Sequence, residues 1–163
     1  MNRVIVALAA CVLGPVGSAA LAADALPRSG SIHFHTGWRF TGDPVTVADK
    51  RVMGSGRVTG ITFNDRGSGP LHQGPANCFD AFVVVDGRGI DKGFCTFSDA
   101  DGDRIFTDFT GVLVPEGGGN GTNEITGGTG KYAGVQGSGP WKCKPAGSNG
   151  ELQCVQRLDY RLP

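Results

Sequence analysis

The chain has 163 residues, with 15 basic and 15 acidic side chains and 28 glycines. That length corresponds to one domain. The balanced charge, with no stripe of Lys or Arg, excludes nucleic acid or an anionic membrane surface as partner.

A charge at Arg3, an apolar run from Val4 to Leu13 and the small-residue stretch Ser18-Ala19-Ala20-Leu21-Ala22-Ala23 read as a secretory signal peptide over residues 1–22. The run is too short to span a membrane, which needs about 20 residues. Leu8-Ala9-Ala10-Cys11 matches the short motif that directs lipid attachment at a cysteine. Processing there would leave the apolar tail Val12 to Ala23 on the mature protein, so the expectation is that Cys11 leaves with the leader. The mature domain, residues 23–163, would be exported to the periplasm or the medium. Its oligomeric state is open.

Helical periodicity is nearly absent from this domain, and short alternating runs are separated by Gly, Asp, Asn and Pro. Ile32 to Phe40 alternates, with Ile32, Phe34, Trp38 and Phe40 on one face. Arg57 to Asn64 is a second strand, and Phe79 to Asp86 reads as a strand buried on both faces. Gly93 to Ser98 follows across the turn Asp86-Gly87-Arg88-Gly89. Asp99-Ala100-Asp101-Gly102-Asp103 turns the chain into Arg104 to Thr110, and the Gly117–Gly121 cluster is a loop. One helical turn is expected around Thr129 to Ala133, and Glu151 to Leu162 closes the chain. About seven or eight short strands on tight connections give an antiparallel meander that must close to lose its edges. The expected fold is all-β, an antiparallel eight-stranded barrel, with a β-sandwich as the alternative.

Without the leader, four cysteines remain: Cys78, Cys95, Cys143 and Cys154. An even number in an exported chain reads as two disulfides. A hairpin loop at Ser148-Asn149 would set Cys143 opposite Cys154. Cys78 and Cys95 then pair by elimination, slightly out of register. Zinc is excluded by the lack of Cys-x-x-Cys and of histidines at ligand spacing beside the cysteines.

The Gly-rich segment from Ile125 to Gly139 is not a phosphate loop. Aligned on Gly130-Lys131, Ile125 stands where the first glycine belongs and Tyr132 where the magnesium-binding hydroxyl belongs. Asp99, Asp101 and Asp103 lack the closing bidentate glutamate of a calcium loop and read as turn residues. His33 and His35 share a strand face and would need a third ligand, such as His72, so they read as solvent-facing. No metal and no cofactor are expected.

Ile125-Thr126-Gly127-Gly128-Thr129-Gly130-Lys131-Tyr132-Ala133-Gly134-Val135-Gln136-Gly137 resembles the Thr-Gly-Gly-Thr-Gly-x-aromatic-x-x-x-x-Gly segment of the allene oxide cyclase and dirigent protein superfamily. Gly93-Phe94-Cys95 followed by Asp99 to Asp103 is similar to small exported bacterial proteins of the same barrel type. The resemblance implies an eight-stranded antiparallel barrel, of a kind that guides cyclisation or coupling of small lipophilic molecules. It carries no catalytic residue onto this chain.

The aromatics Phe34, Trp38, Phe40, Phe63, Phe82, Phe97, Phe109 and Tyr132 either fill a core or wall an apolar pocket. Candidate ligand-binding residues are Trp38, Arg39, Phe40, Asp80, Phe97, Asp108 and Tyr132. Arg39, Asp80 and Asp108 take the polar role if their strands turn those residues inward. Three functions fit: binding of a small lipophilic ligand without catalysis, a confinement-type isomerase or cyclase steered by a carboxylate or Arg39, or a structural module with a packed interior. A filled interior would eliminate the first two. In a cavity, two or more titratable groups would favour the enzyme, and an apolar wall would favour binding.

Overall fold

The structure, a computed structural model, describes residues 26–163. The expected leader, with Cys11, lies outside them. The described chain forms nine strands: β1 (Ser29–Gly42), β2 (Val45–Ala48), β3 (Arg51–Asn64), β4 (Gly74–Val85), β5 (Arg88–Ser98), β6 (Arg104–Leu113), β7 (Gly119–Gly128), β8 (Gln136–Pro145) and β9 (Glu151–Arg161). All neighbours run antiparallel. β1 pairs with β9 on one side and β3 on the other, which closes eight strands into a barrel. Closure satisfies the edges of those eight strands, as the succession of short strands required.

β2 is an addition to the expected set. Asp43-Pro44 ends β1, since proline has no N–H for the ladder. The chain then lies along the end of β3, with Val45 opposite Met53. A strand this short has too few residues for alternation to reveal it.

The period-2 alternation holds around the ring. Ile32, Phe34, Thr36 and Trp38 face inward on β1, and Cys154, Gln156, Leu158 and Tyr160 do so on β9. β4 departs from the expectation of burial on both faces. Cys78 is inside, whereas Phe79 and Val85 lie on the outer surface. A barrel wall is one layer, so only one face of each strand meets the core. Phe79 instead stacks on Phe94 of β5, with ring centroids 5.8 Å apart.

Both disulfides form as paired above. Cys78–Cys95 joins β4 to β5 and Cys143–Cys154 joins β8 to β9, each with Cα atoms 4.0 Å apart. Cys78 and Cys95 are directly opposite, not out of register, because the β4–β5 turn is only Asp86-Gly87. Both residues adopt the left-handed conformation, with φ of 51° and 76°, as the favoured two-residue hairpin demands. Around the ring the β4–β5 and β8–β9 pairs stand on opposite walls, so the two bridges face each other across the interior.

The lower half of the barrel is filled. Phe34, Phe97, Ile105 and Leu158 are fully buried there. Phe34 and Phe97 meet edge-on at 5.4 Å. Leu71, Tyr132 and Val135 close the floor. The Gly-rich segment forms that floor, with a single 3-10 turn at Gly130–Tyr132. Gly130 has φ of 53°, and a side chain on it would collide with the Asp103 carboxylate. That carboxylate accepts the Lys131 N–H at 3.0 Å. Both ends of the described chain lie at the floor, where the Leu162 N–H donates to the Arg28 carbonyl at 2.7 Å.

Candidate functional site

A belt of hydrogen-bonded side chains crosses the barrel above the filled half. Gln156 donates to the Thr36 hydroxyl at 2.9 Å, and Asn123 donates to the Gln156 carbonyl oxygen at 3.1 Å. The Thr107 hydroxyl reaches Asn123 at 3.4 Å. Buried polar groups are tolerated when they satisfy one another in this way.

Over the belt is a cavity of about 70 Å³, bounded by Trp38, Val58, Phe109 and Trp141 and by the four disulfide cysteines. It opens into a mouth of about 250 Å³ that shares Asp80, Asp91, Trp141, Cys143 and Leu152 with it and adds Phe40 and Phe82. The inner part admits no more than a short alkyl tail or water. A ring-sized body has room in the mouth. Phe109 meets Trp141 edge-on at 6.1 Å, and Phe40 meets Phe82 in the same way at 6.0 Å.

Two glycines make this arrangement possible. A side chain at Gly111 would occupy the space of the Trp141 ring. A Cβ at Gly93, which pairs with Asp80, would come within 2.9 Å of the Phe109 ring. Phe109 of β6 thus leans into the gap at Gly93 on neighbouring β5, and Trp141 of β8 reaches across Gly121 of β7 to the gap at Gly111 on β6.

Asp80 and Asp91 are the only charged side chains lining the cavity and mouth among the described residues. Phe82, two residues from Asp80, pairs with Asp91, so the two carboxyls are diagonal neighbours on one face of the β4–β5 pair. Asp80 Oδ1, Asp91 Oδ1 and Trp141 Nε1 are all buried with no hydrogen-bond partner in the protein. Burial raises the Asp80 pKa to about 6. Burial, with the neighbouring Asp80 charge added, raises Asp91 to about 7. The pair therefore titrates close to neutrality, as a coupled unit.

The candidate residues divide into three groups. Trp38 and Asp80 line the cavity, and Phe40 lines its mouth. Phe97 and Tyr132 are fully buried but belong to the filled half. The Tyr132 hydroxyl donates to Asp99 at 2.7 Å. Arg39 and Asp108 lie on the outer wall, so neither can play the polar role considered for it. Arg39 sits between the inward Trp38 and Phe40 and pairs with Glu151 at 3.3 Å. Asp108 sits between the inward Thr107 and Phe109. Asp91 and Trp141 are the additions. Each is an even number of residues from an inward cysteine, Asp91 four before Cys95 and Trp141 two before Cys143, which places them on the same face.

The histidines and the aspartate cluster lie away from this site. His33 is exposed, and His35 Nδ1 is 2.9 Å from the Asp65 carboxylate. Asp99 is held by the Leu71 N–H, the Tyr132 hydroxyl and the Lys131 ammonium, the last at 2.5 Å. Among the described residues no three His, Cys, Asp or Glu side chains converge as metal ligands. None of the described helices is long and apolar enough to cross a membrane. The chain matches no protein-family model and no curated protein.

Proposed function

We propose that the upper barrel binds a small, mostly apolar molecule, and that the protein works in an oxidising compartment outside the cytoplasm. The observation that carries the first part is the cavity under an open mouth, walled by aromatic rings and disulfide sulfur. A packed structural module has no use for such a space, since an unfilled core loses contacts along its whole lining. Two cross-strand disulfides support the second part, because they persist only where thiols are not kept reduced. The resemblance of the Gly-rich segment to barrels that handle small lipophilic molecules points the same way. Native mass spectrometry of protein purified from its own source tests the reading. A co-purifying small molecule, lost when Gly111→Val displaces Trp141 into the cavity, is the expected result.

The paired carboxyls favour a second reading, a proton-transfer isomerase. With pKa values of about 6 and 7, the pair holds one proton near neutral pH. One carboxylate is then a base and the other carboxyl an acid. The first would take a proton from one carbon of an enolisable substrate and the second would deliver one elsewhere, with no net change of atoms. Binding ranks first because, among the described residues, Trp141 Nε1 is the one fully buried side-chain N–H lining the cavity that is left without a partner, a sparse set for stabilising a developing oxyanion. Solvent deuterium entering a small enolisable ketone such as cyclohexanone, in native protein but not in Asp91→Asn, would put catalysis first.

A further inference from the structure

We propose that the molecule bound in the upper barrel carries a protonated amine, seated at Asp80 and Asp91 with its apolar body against the aromatic wall. This rests on the binding reading above and names the class of ligand. Several carboxylates elsewhere in the molecule have cationic neighbours: Lys131 bridges Asp99 and Asp101, Arg157 pairs with Asp159, and Lys50 pairs with Asp86. At the mouth none does. β1, β3, β6, β7, β8 and β9 bring no titratable side chain to this space among the described residues, since their cysteines are bonded. Two carboxyls are thus left with one another and with no internal counter-charge.

Half-buried carboxyls in that position, each with one buried and unpartnered oxygen, call for a cation from outside. An ammonium group supplies up to three N–H donors to oxygens that the protein leaves unpartnered. The surrounding rings add to this, because a desolvated cation is attracted to the faces of Trp, Tyr and Phe. Phe40, Phe82 and Trp141 stand around the same mouth. Trp141 is an independent sign that a polar ligand belongs here, because its N–H calls for an acceptor on the body of that ligand, which the ammonium group itself does not supply. It is only 8 % exposed and lines both the cavity and the mouth, and its indole N–H has no acceptor in the protein. A simple alkane would leave all three polar groups unsatisfied. An anionic ligand would be repelled by the carboxyls. The aspartate pair therefore selects charge, and the small inner cavity limits size.

Three probes of matched size separate the possibilities: 2-phenylethylamine, 2-phenylethanol and 3-phenylpropionate. Calorimetry or tryptophan fluorescence at pH 8 should show the amine binding at least about tenfold tighter than the alcohol, with the carboxylate weakest. In Asp80→Asn/Asp91→Asn, the amine should fall to the level of the alcohol while the alcohol is little changed. Lowering the pH from 8 to 5 should erode the amine's advantage in the native protein, as the carboxyls take up protons. Equal binding of amine and alcohol at pH 8, or an amine preference that survives the double substitution, would overturn the amine inference and leave the cavity reading intact. If none of the three probes binds, the cavity reading falls and this one falls with it. The single variant Asp91→Asn, and thermal unfolding of each protein, verify that any loss is not one of folding.

Discussion

Asp99 and Asp91 sit in or just beyond the same strand, yet the two ends of the barrel treat them oppositely. At the floor, Asp99 is buried among a backbone N–H, a tyrosine hydroxyl and an ammonium group. At the mouth, Asp91 is half-buried beside another carboxyl, with one buried oxygen unpartnered. The same side chain is a tie that locks the floor in one place and an unsatisfied group in the other. The floor holds the fold together, and the mouth carries a standing cost that a ligand can relieve. The carboxylate at the floor is fully partnered, and the unrelieved electrostatic cost is confined to the mouth.

The comparison is broken most forcefully at Asp99. Asp99→Ala strips the partner from three groups at once, and the buried Leu71 N–H and Tyr132 hydroxyl are left unsatisfied. It should destabilise the fold by about 3–5 kcal/mol, read from chemical denaturation with the disulfides intact. A loss below about 1 kcal/mol would mean that the floor is not tied as described.

The reverse sign is expected at the mouth. Asp80 and Asp91 bind their protons more tightly folded than unfolded, so their contribution to stability is fully present below the ordinary value of 3.8. It is lost as the pH rises through about 6 and 7. Unfolding midpoints should accordingly fall between pH 5 and 8. Asp80→Asn/Asp91→Asn should flatten that decline and raise stability at pH 8 by on the order of 2 kcal/mol, allowing for water that reaches the open mouth. A double variant less stable than the native protein at pH 8 would show that the pair is satisfied in a way the geometry does not reveal.

A smaller effect should come from Gly111→Val. The added methyl groups push on Trp141 and cost about 1–3 kcal/mol by overpacking. Binding of 2-phenylethylamine should weaken more than stability does. Equal affinity in this variant would place the ligand elsewhere. The smallest change is expected on the outer wall at Phe94→Ala. It removes an exposed cross-strand aromatic pair and should cost no more than about 1 kcal/mol, with probe binding untouched.

Much of the barrel was legible because its grammar is local. Alternation from Ile32 to Phe40, the turn chemistry at Asp86-Gly87 and the glycines around Tyr132 each follow from a few adjacent residues. The Cys143–Cys154 bridge was readable for the same reason, as a hairpin sets its own register. What lay beyond reach was where a buried face stops being core and becomes cavity. Phe97 and Trp38 are both inward aromatics, 6.2 Å apart between ring centroids, and only their height in the barrel separates filling from lining. Asp91 was missed because the glycines at 87 and 89 read as turn and the expected strand begins only at Gly93, whereas β5 already starts at Arg88. Arg39 and Asp108 were misplaced even though their inward neighbours held the signal. Counting by twos from the cysteines would have returned Asp80, Asp91 and Trp141 together.

The position of the chain ends at the floor has a practical consequence. Arg28 and Leu162 meet there, and Leu26 lies beside the Asp99–Lys131 pair, so both ends of the described chain emerge opposite the mouth. A tag, a fusion partner or a surface linker attached at either end points the opening outward. Immobilised protein should therefore keep its full binding capacity whichever end is anchored, and the scaffold suits capture or sensing formats without redesign.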